Sequence, residues 1–509
     1  MQRASLLFIL LLAAVLRLYH LSSVPPELIV DEIDLYNSAH SIVTTGHDVD
    51  GTLRPFLYAR FTRNPPLYAV AGYVSSLIFG KTPFGLRLPA VLFGLISIVL
   101  LYAITLELTR RRRIALLAAL MMAIAPIFIQ FSRVAWEPSS ELPPLLGGVY
   151  LLLLALRRST AARLTWAGIL LGLTAYTYMA GWFYALVLAG PLLVLYVARR
   201  RSWRAVIAAC ATAAVWLVVA LPALWMWFFD FATSSRALRI ATFGHGVSLR
   251  ALQTFALNYF AHFRWSYLVV TGDPQSGLTW RYLNGFGAFY WWLIPLAALG
   301  VLVTFQYVRS RALALWVWWW LVSYPLGGAL TNEGAPNAPR TLAGATVFCL
   351  LAAMGFAFLL DEAGAIRWAR AARVTQVLVR GAFAVAVATS VAWFSWIYFV
   401  QYVHRDSNAW DSGTRAMFET LIAHREGYDR VCFAVLPAWY DPDSYSRFYF
   451  DDNGLRWLDD VNDPRCSLPR TLLAVDPHHR VDRAGFTPIA TILDVDGRVF
   501  AYVSGRLSR

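Results

Sequence analysis

The sequence predicts an all-α polytopic membrane protein that ends in a small α/β domain outside the membrane. Of its 509 residues, 58% are hydrophobic and only 15% are charged, whereas a soluble domain has about 25% charged residues. Apolar stretches recur as far as residue 403, and the composition beyond is that of a soluble domain. We therefore expect two domains, 1–403 in the membrane and 404–509 outside it.

Eleven apolar stretches are expected to cross the membrane as helices. A further apolar stretch, residues 66–80, is interpreted as an interfacial or re-entrant helix. Counting it as a span would place the arginine-rich loops on the same side as the acidic loops. The eleven stretches have the approximate bounds 4–22, 87–108, 114–131, 142–156, 164–180, 182–198, 205–228, 286–307, 312–330, 341–360 and 381–403.

Arginine clusters predict the orientation. Cytoplasmic loops carry an excess of Lys and Arg, and with eleven spans the arginine-rich loops all fall on one side, together with Arg3. We expect the N-terminus in the cytoplasm and the C-terminal domain outside, in a bacterial-type inner membrane. The same bias accounts for the net charge of +14 without nucleic-acid binding. The loops in question are 110–113, 157–163, 199–204, 309–311 and 367–380.

Four segments are expected on the outer face, and each carries charged or aromatic residues. Polar groups that converge over an apolar bundle are typical of a binding or active site. The sequence therefore predicts a site on this face. The four segments are 23–86, 132–141, 229–285 and 331–340.

Asp31 and Glu32 lie in the first outer segment. Carboxylates are costly near a bilayer, so the pair suggests a general base for an acceptor hydroxyl or amine, or a metal ligand beside a phosphate. The alternative is structural, because carboxylates favour helix N-termini and a helix could open at Ile33. Their place upstream of Pro65 and Pro66 favours the functional interpretation.

Arg133 and Glu137 stand four residues apart in the second outer segment. A guanidinium here suits bidentate phosphate binding, and Glu137 could orient it or serve as a second acid. The alternative is a helix-end ion pair, worth only about 0.3–0.5 kcal/mol.

Arg281 and Arg340 are expected on the outer face, against the positive-inside bias. Both suit an anionic headgroup, although either could instead extend to lipid phosphate. His245 and His262 have no ligand partner at motif spacing. We interpret these two histidines as structural or interfacial.

The C-terminal domain combines helix, strand and hairpin signals. Residues 411–425 predict an amphipathic helix, and 430–436 and 471–475 predict buried strands. Residues 489–493 and 498–503 flank Asp494-Val495-Asp496-Gly497, a hairpin signal.

Cysteine positions add one conditional expectation. Cys432 and Cys466 could form a disulfide if this domain lies outside the cytoplasm. Cys210 and Cys349 fall in apolar stretches and are expected to be packing residues. No Cys or His spacing predicts a structural zinc site.

Taken in order, these features resemble the GT-C superfamily of integral membrane glycosyltransferases over residues 1–360. The nearest families are the protein O-mannosyltransferase-like family (glycosyltransferase family 39) and the lipid A aminoarabinose transferases. The matching elements are Asp31-Glu32 with Tyr36, Asn64-Pro65-Pro66-Leu67-Tyr68, Phe79-Gly80, Arg87-Leu88-Pro89, Ser132-Arg133-Val134-Ala135 with Glu137, and the proline-rich loop closed by Arg340.

The resemblance implies an inverting enzyme that moves a sugar from a polyprenyl-phosphate carrier to an acceptor on the extracytoplasmic face. Asp31 would be the general base, with Glu32 and Glu137 assisting on the acceptor side. Arg133 and Arg340 would neutralise the departing lipid phosphate. Relatives often carry Lys where this chain has Asn64, so Arg63 is the candidate replacement. Many relatives also have a basic residue where Asp34 stands.

Several expectations stay open. The sugar is undetermined, the acceptor could be a glycan, a lipid or a protein, and members of the superfamily differ in their need for a divalent metal. No other cofactor is expected, and the expected partners are the lipid-linked sugar and membrane lipids. The alternative function is a transporter or flippase of lipid-linked sugar. Transporters place ionisable residues near the membrane centre, whereas the candidate acids here lie in loops.

Overall fold

The computed structural model of the protein describes residues 2–49, 51, 65–229, 238–244, 246–273, 286–434, 441–450, 456–458, 463–478 and 485–507. By its internal contacts the chain divides into two compact units. The first comprises Met1–Tyr19, Arg63–Tyr68 and Arg87–Trp396, and the second comprises His20–Thr62, Ala69–Leu86 and Ile397–Arg509. The second unit therefore joins most of the first outer segment to the C-terminal domain.

Helices make up most of the described chain. They are α1 (Gln2–Leu18), α2 (Val30–Thr45), α3 (Pro66–Phe79), α4 (Pro83–Thr109), α5 (Arg112–Ile124), α6 (Pro126–Gln130), α7 (Leu142–Arg157), α8 (Ala161–Leu173), α9 (Met179–Arg200), α10 (Trp203–Phe229), α11 (Leu249–Ala261), α12 (Leu293–Tyr307), α13 (Arg311–Ser323), α14 (Leu326–Ala329), α15 (Ala338–Gly364), α16 (Ala369–Trp396), α17 (Tyr402–Arg405), α18 (Thr414–Ala423) and α19 (Pro442–Phe450).

The predicted polytopic helical architecture is confirmed, and each of the eleven predicted spans contains a helix of the first unit. Three shorter apolar helices are Ser5–Leu18, Pro66–Phe79 and Leu293–Tyr307. In the described residues, the segments long and apolar enough to cross a membrane are Pro83–Thr109, Glu137–Arg157, Met179–Arg200, Trp203–Trp225, Ala338–Gly364 and Ala369–Arg405.

One predicted stretch differs in detail from the helices observed, and the extra stretch forms a short helix. The stretch 114–131 is divided into α5 and α6 at Ala125, whose extended backbone precedes Pro126; a residue before proline avoids the helical conformation. The extra stretch 66–80 forms α3, whose 14 residues span about 21 Å. That length is less than the ~30 Å of a bilayer core, but so is that of the 15-residue α12. The interfacial placement of α3 stays a prediction.

Helix α15 is buried along most of its length and carries Arg340 in its first turn. Its backbone touches α12 through glycines. A Cβ at Gly300 would lie 1.9 Å from the Leu351 carbonyl oxygen, and one at Gly355 would lie 2.0 Å from that of Leu296. Small residues permit such close helix packing. The position of α15 is therefore fixed by backbone contact.

The second unit contains a five-stranded sheet in the order β2-β1-β3-β5-β4. Strand β1 is parallel to β2 and β3, and β5 is antiparallel to β3 and β4. The predicted hairpin is confirmed as β4 and β5, closed by a turn at Asp494 and Gly497. The strands are β1 (Arg430–Ala434), β2 (Arg456–Leu458), β3 (Thr471–Val475), β4 (Thr487–Leu493) and β5 (Val499–Arg506).

Cys432 and Cys466 form a disulfide with a Cα–Cα distance of 5.9 Å. Both residues are buried, and they pack with Leu473 and Val475 of β3. The bond links β1 to the segment that precedes β3, so it closes the core of the small domain.

Candidate active site

Arg340 lies in the first turn of α15, among several polar side chains. Its side chain is only 6% exposed, and its guanidinium donates to the Thr331 hydroxyl and the Glu333 carboxylate. A buried guanidinium near a membrane surface is costly unless it is paired, and here its partners are side chains.

Three side chains hold the first turn of α15 in place. The Asn337 side chain accepts from the Arg340 backbone N–H at 3.2 Å, and Asp273 accepts from the Ala338 N–H at 3.1 Å. His262 Nε2 accepts from the Asn337 N–H at 2.9 Å. These are N–H groups that a helix leaves unsatisfied. The position of Arg340 therefore depends on residues from the third and fourth outer segments.

His262 is a neutral structural histidine, as the sequence suggested. Its Nδ1 lies 2.7 Å from the Asn258 carbonyl oxygen, so Nδ1 carries the proton and Nε2 is free to accept. Burial lowers the pKa of His262 from 6.5 to about 4. The rings of Tyr267 and Tyr324 pack edge-on against it at 5.9 and 6.2 Å.

Glu141 is a candidate site residue that the sequence analysis did not name. It is fully buried at the start of α7, and neither carboxyl oxygen has a hydrogen-bond partner among the described residues. A Cβ at Gly181 would approach the Glu141 side chain to 3.4 Å. The signal was an acid directly before Leu142-Pro143-Pro144, the opening of an apolar helix, where a buried charge is expensive.

Arg133 has a different environment from the one expected of a phosphate ligand. Its guanidinium is fully buried and donates to the backbone carbonyls of Leu16, Arg17 and Tyr19 at 2.7–3.0 Å. Those carbonyls end α1, where a helix leaves C=O groups unsatisfied and favours a cation. The observed contacts of Arg133 therefore anchor the end of α1.

Glu137 is buried at the start of the 3₁₀ helix Glu137–Ser140. Arg133 follows α6, which ends at Gln130, so the two residues do not share a turn of one α-helix. The roles expected of Glu137 stay predictions.

Asp31 and Glu32 form the first turn of α2, in the second unit. Glu32 is buried, and its carboxylate accepts from the Ile29 N–H at 3.1 Å. This capping contact matches the structural alternative for Glu32. Asp31 is half-buried beside it, where the positive end of the helix dipole stabilises an ionised carboxylate.

The start of α2 is held by residues of the C-terminal domain. Tyr445 of α19 donates its hydroxyl to the Leu28 carbonyl at 2.9 Å, and Asn37 donates to the Ser444 carbonyl at 2.8 Å. Glu27 accepts from the Arg415 N–H at 3.2 Å. The position of Asp31 therefore depends on the fold of the small domain.

Four residues singled out in the sequence lie outside the described residues: Arg63, Asn64, Arg281 and His245. Their expected roles stay predictions. In the described ranges, no group of three or more His, Cys, Asp or Glu side chains is arranged to hold a metal ion.

Residues 63–227 match the sequence model of a family described as dolichyl-phosphate-mannose-protein mannosyltransferase. This match covers the segment from the Pro65-Pro66 motif to α10. A sequence comparison with curated proteins finds no significant match.

The structure is similar to several solved structures, among them those of two proteins. One is ArnT from Cupriavidus metallidurans, with a TM-score of 0.58 and 13% identity for its apo state over 98% of this chain and 97% of that chain. ArnT bound to undecaprenyl phosphate gives a TM-score of 0.53 and 14% identity over 99% and 97% of the two chains.

The second is the archaeal oligosaccharyltransferase AglB from Archaeoglobus fulgidus, in complex with an inhibitory peptide and a dolichol-phosphate. It gives a TM-score of 0.54 and 13% identity over 93% of this chain and 69% of that chain. At such low identities these likenesses concern the fold.

Proposed function

We propose that this chain, a membrane glycosyltransferase with the GT-C fold, moves a sugar from a polyprenyl-phosphate carrier to an acceptor on the extracytoplasmic face. Nearly the whole chain matches the fold of ArnT, which has been solved with undecaprenyl phosphate. AglB has been solved with a dolichol-phosphate. A lipid-linked phosphate is thus the ligand class common to these structures.

The observation that carries the proposal is the environment of Arg340. Its buried guanidinium is held by a first helical turn whose amides are already capped, so the cation is preorganised. Its charged partner, Glu333, has a side chain 38% exposed, so that carboxylate can move aside and a phosphate oxygen can replace it. Preorganised positive charge stabilises a departing phosphate without a general acid.

Asp31 is proposed as the general base. As the acceptor oxygen or nitrogen attacks the anomeric carbon, its proton passes to the Asp31 carboxylate. The bond from that carbon to the phosphate oxygen breaks, and its electron pair leaves with the lipid phosphate. A single displacement of this kind inverts the anomeric centre. Asp31 is half-buried in the first turn of α2, and it is our candidate of the pair.

The other candidates receive supporting roles. Glu137 and Glu32 are proposed to shape the acceptor side, and Arg133 to position α1. Arg63 and Arg281 remain proposed contacts for the donor phosphate.

We propose that the protein lies in a bacterial-type inner membrane, with the small domain on the extracytoplasmic side. Its disulfide supports that side, because such bonds are rare in a reducing compartment.

Sugar transfer by purified protein in nanodiscs tests the proposal. Radiolabelled polyprenyl-phosphate sugars are offered with a mixed acceptor extract. We expect transfer by the wild type and a loss of about 10²-fold or more for Asp31→Asn and for Arg340→Gln. The matched controls are the exposed Asp429→Asn and Arg158→Gln, which should retain activity.

Two outcomes would change the assignment. Full activity of Asp31→Asn would move the base to Glu32 or Glu137 and leave the enzyme class intact. Absence of transfer from every donor, with intact lipid-linked sugar crossing between leaflets, would replace the transferase by a flippase. A fluorescent lipid-linked sugar with a quencher on one side of the bilayer measures that movement.

A further inference from the structure

The first unit contains a second cluster of positive charge, at the opposite end of α15 from Arg340. Arg340 and Asp361 are about six helical turns apart, or roughly 30 Å along the axis. Near Asp361 lies a cavity of about 550 Å³ between α1, α5, α15 and α16. This volume is typical of ligand pockets. We call it the arginine cleft, after Arg111, Arg112, Arg113 and Arg380 in its wall.

Arg111, one of these arginines, is bound by other side chains of the protein. Arg111 donates to Asp361 at 2.8 Å, and its guanidinium carbon lies 4.6 Å from the centre of the Tyr307 ring. The Tyr307 hydroxyl donates to the same carboxylate at 2.7 Å. Asp361 is thus already engaged by two groups, and it is the one carboxylate in the cleft lining.

Two of the arginines are available to a ligand. Arg113 and Arg380 are exposed and have no ion-pair partner in the part of the chain that the structure describes. They reach the cleft from different helices, α5 and α16. Gln376, one turn before Arg380, donates to the Leu360 carbonyl at 3.2 Å and fixes α16 against α15. The spacing of the two cations is therefore set by packed helices.

The remaining wall of the cleft is apolar, with Leu116, Leu117 and Ala357 below the arginines. A free inorganic anion gains nothing from such a surface, whereas a lipid can place its chains there. Most side chains of α16 are exposed, as expected for a helix facing lipid. Basic pockets between membrane helices bind anionic headgroups, and arginine matches phosphate in geometry.

We propose that the arginine cleft is a second anion site, which binds the phosphate group of an anionic membrane lipid. It is separate from Arg340 and does not depend on the transferase proposal. The bound lipid joins α5 to α16 through its phosphate, and its chains cover the apolar wall.

Native mass spectrometry of the delipidated full chain tests this site with phosphatidylglycerol as the probe and phosphatidylcholine as the neutral lipid. We expect a one-to-one phosphatidylglycerol adduct that Arg113→Gln with Arg380→Gln weakens roughly 25-fold, at about fivefold per arginine. The control pair is Arg158→Gln with Arg204→Gln, which removes two exposed arginines from the same end of the bundle and should leave the adduct unchanged.

A second variant separates a shaped site from diffuse charge. Arg113→Lys with Arg380→Lys keeps both charges but loses the planar fork, so we expect intermediate binding. Equal weakening by the cleft pair and the control pair, or full binding by the lysine pair, would overturn the site. Displacement of the lipid by an equal concentration of inorganic phosphate would overturn the lipid as its occupant.

Discussion

Arg133 and Arg340 were predicted to share one task, yet their partners differ in kind. Arg133 donates to three backbone carbonyls, which are neutral and always present. Arg340 donates to side chains, one of them a partly exposed carboxylate that can be replaced. A phosphate can compete for Arg340 with a partly exposed carboxylate more readily than for Arg133 with the backbone carbonyls at the end of a helix. We therefore favour Arg340 as the phosphate ligand.

His262 leads to a prediction about pH. Its pKa is about 4 in the native state and 6.5 when unfolded, so between these values the unfolded chain binds one more proton. Stability is then complete above pH 6.5 and is lost as the pH falls towards 4, by at most about 3 kcal/mol. Thermal unfolding in detergent between pH 7.5 and 4.5 measures this loss.

The variant His262→Gln should flatten that pH dependence, because its amide does not titrate. His424 is exposed, so His424→Gln is the control and should retain the wild-type slope. An unchanged slope in His262→Gln would show that other groups cause the acid sensitivity.

At the scale of elements, the first turn of α15 depends on groups far away in the sequence. The Asn337 side chain caps α15 by accepting from the Arg340 backbone N–H. We predict that Asn337→Ala, which removes this cap, lowers the free energy of unfolding by about 1 kcal/mol. It should also raise the KM for the lipid-linked donor, because Arg340 loses its fixed position. Asn337→Asp keeps an acceptor oxygen and should restore both properties.

The comparison for this prediction is Thr160→Ala, which removes the same kind of cap from α8. We expect it to reduce stability without changing the donor KM. If Asn337→Ala changed stability alone, Arg340 would not depend on this cap for donor binding.

Local patterns predicted the helices well because their causes are local. The length of each apolar stretch was enough to predict a helix there. Pro126 explains why the predicted stretch 114–131 is divided into two helices. The caps of α15 were not predictable from spacing, since Asp273 and His262 bind groups 65 and 75 residues away. Likewise, Glu32 caps α2 through a local contact with the Ile29 N–H. The contact of Tyr445 with the Leu28 carbonyl, by contrast, joins residues 417 positions apart.

At the scale of the whole molecule, the disulfide is a covalent constraint on the core of the small domain. We predict that Cys432→Ala with Cys466→Ala destabilises the second unit by about 2–4 kcal/mol. Faster hydrogen exchange in β1 and β3 would report this loss.

Reduction of the wild type should reproduce the effect without changing any side chain volume. Cys210 is free and exposed, so Cys210→Ala is the control and should exchange like the wild type. Unchanged exchange after complete reduction would contradict a stabilising role for the bond.

The support of α2 by the C-terminal domain also sets an order of assembly. The residues near α2 that make these contacts leave the ribosome early, but their partners are made 388–417 residues later. The pairs are Glu27 with Arg415, Leu28 with Tyr445, and Asn37 with Ser444. At about 5–20 residues per second, the segment around Asp31 waits some 20–80 s for them. A nascent chain that stalls before the C-terminal domain is made would thus carry its proposed catalytic acid on a helix that lacks these contacts, so catalytic competence would arrive only once that domain has been translated.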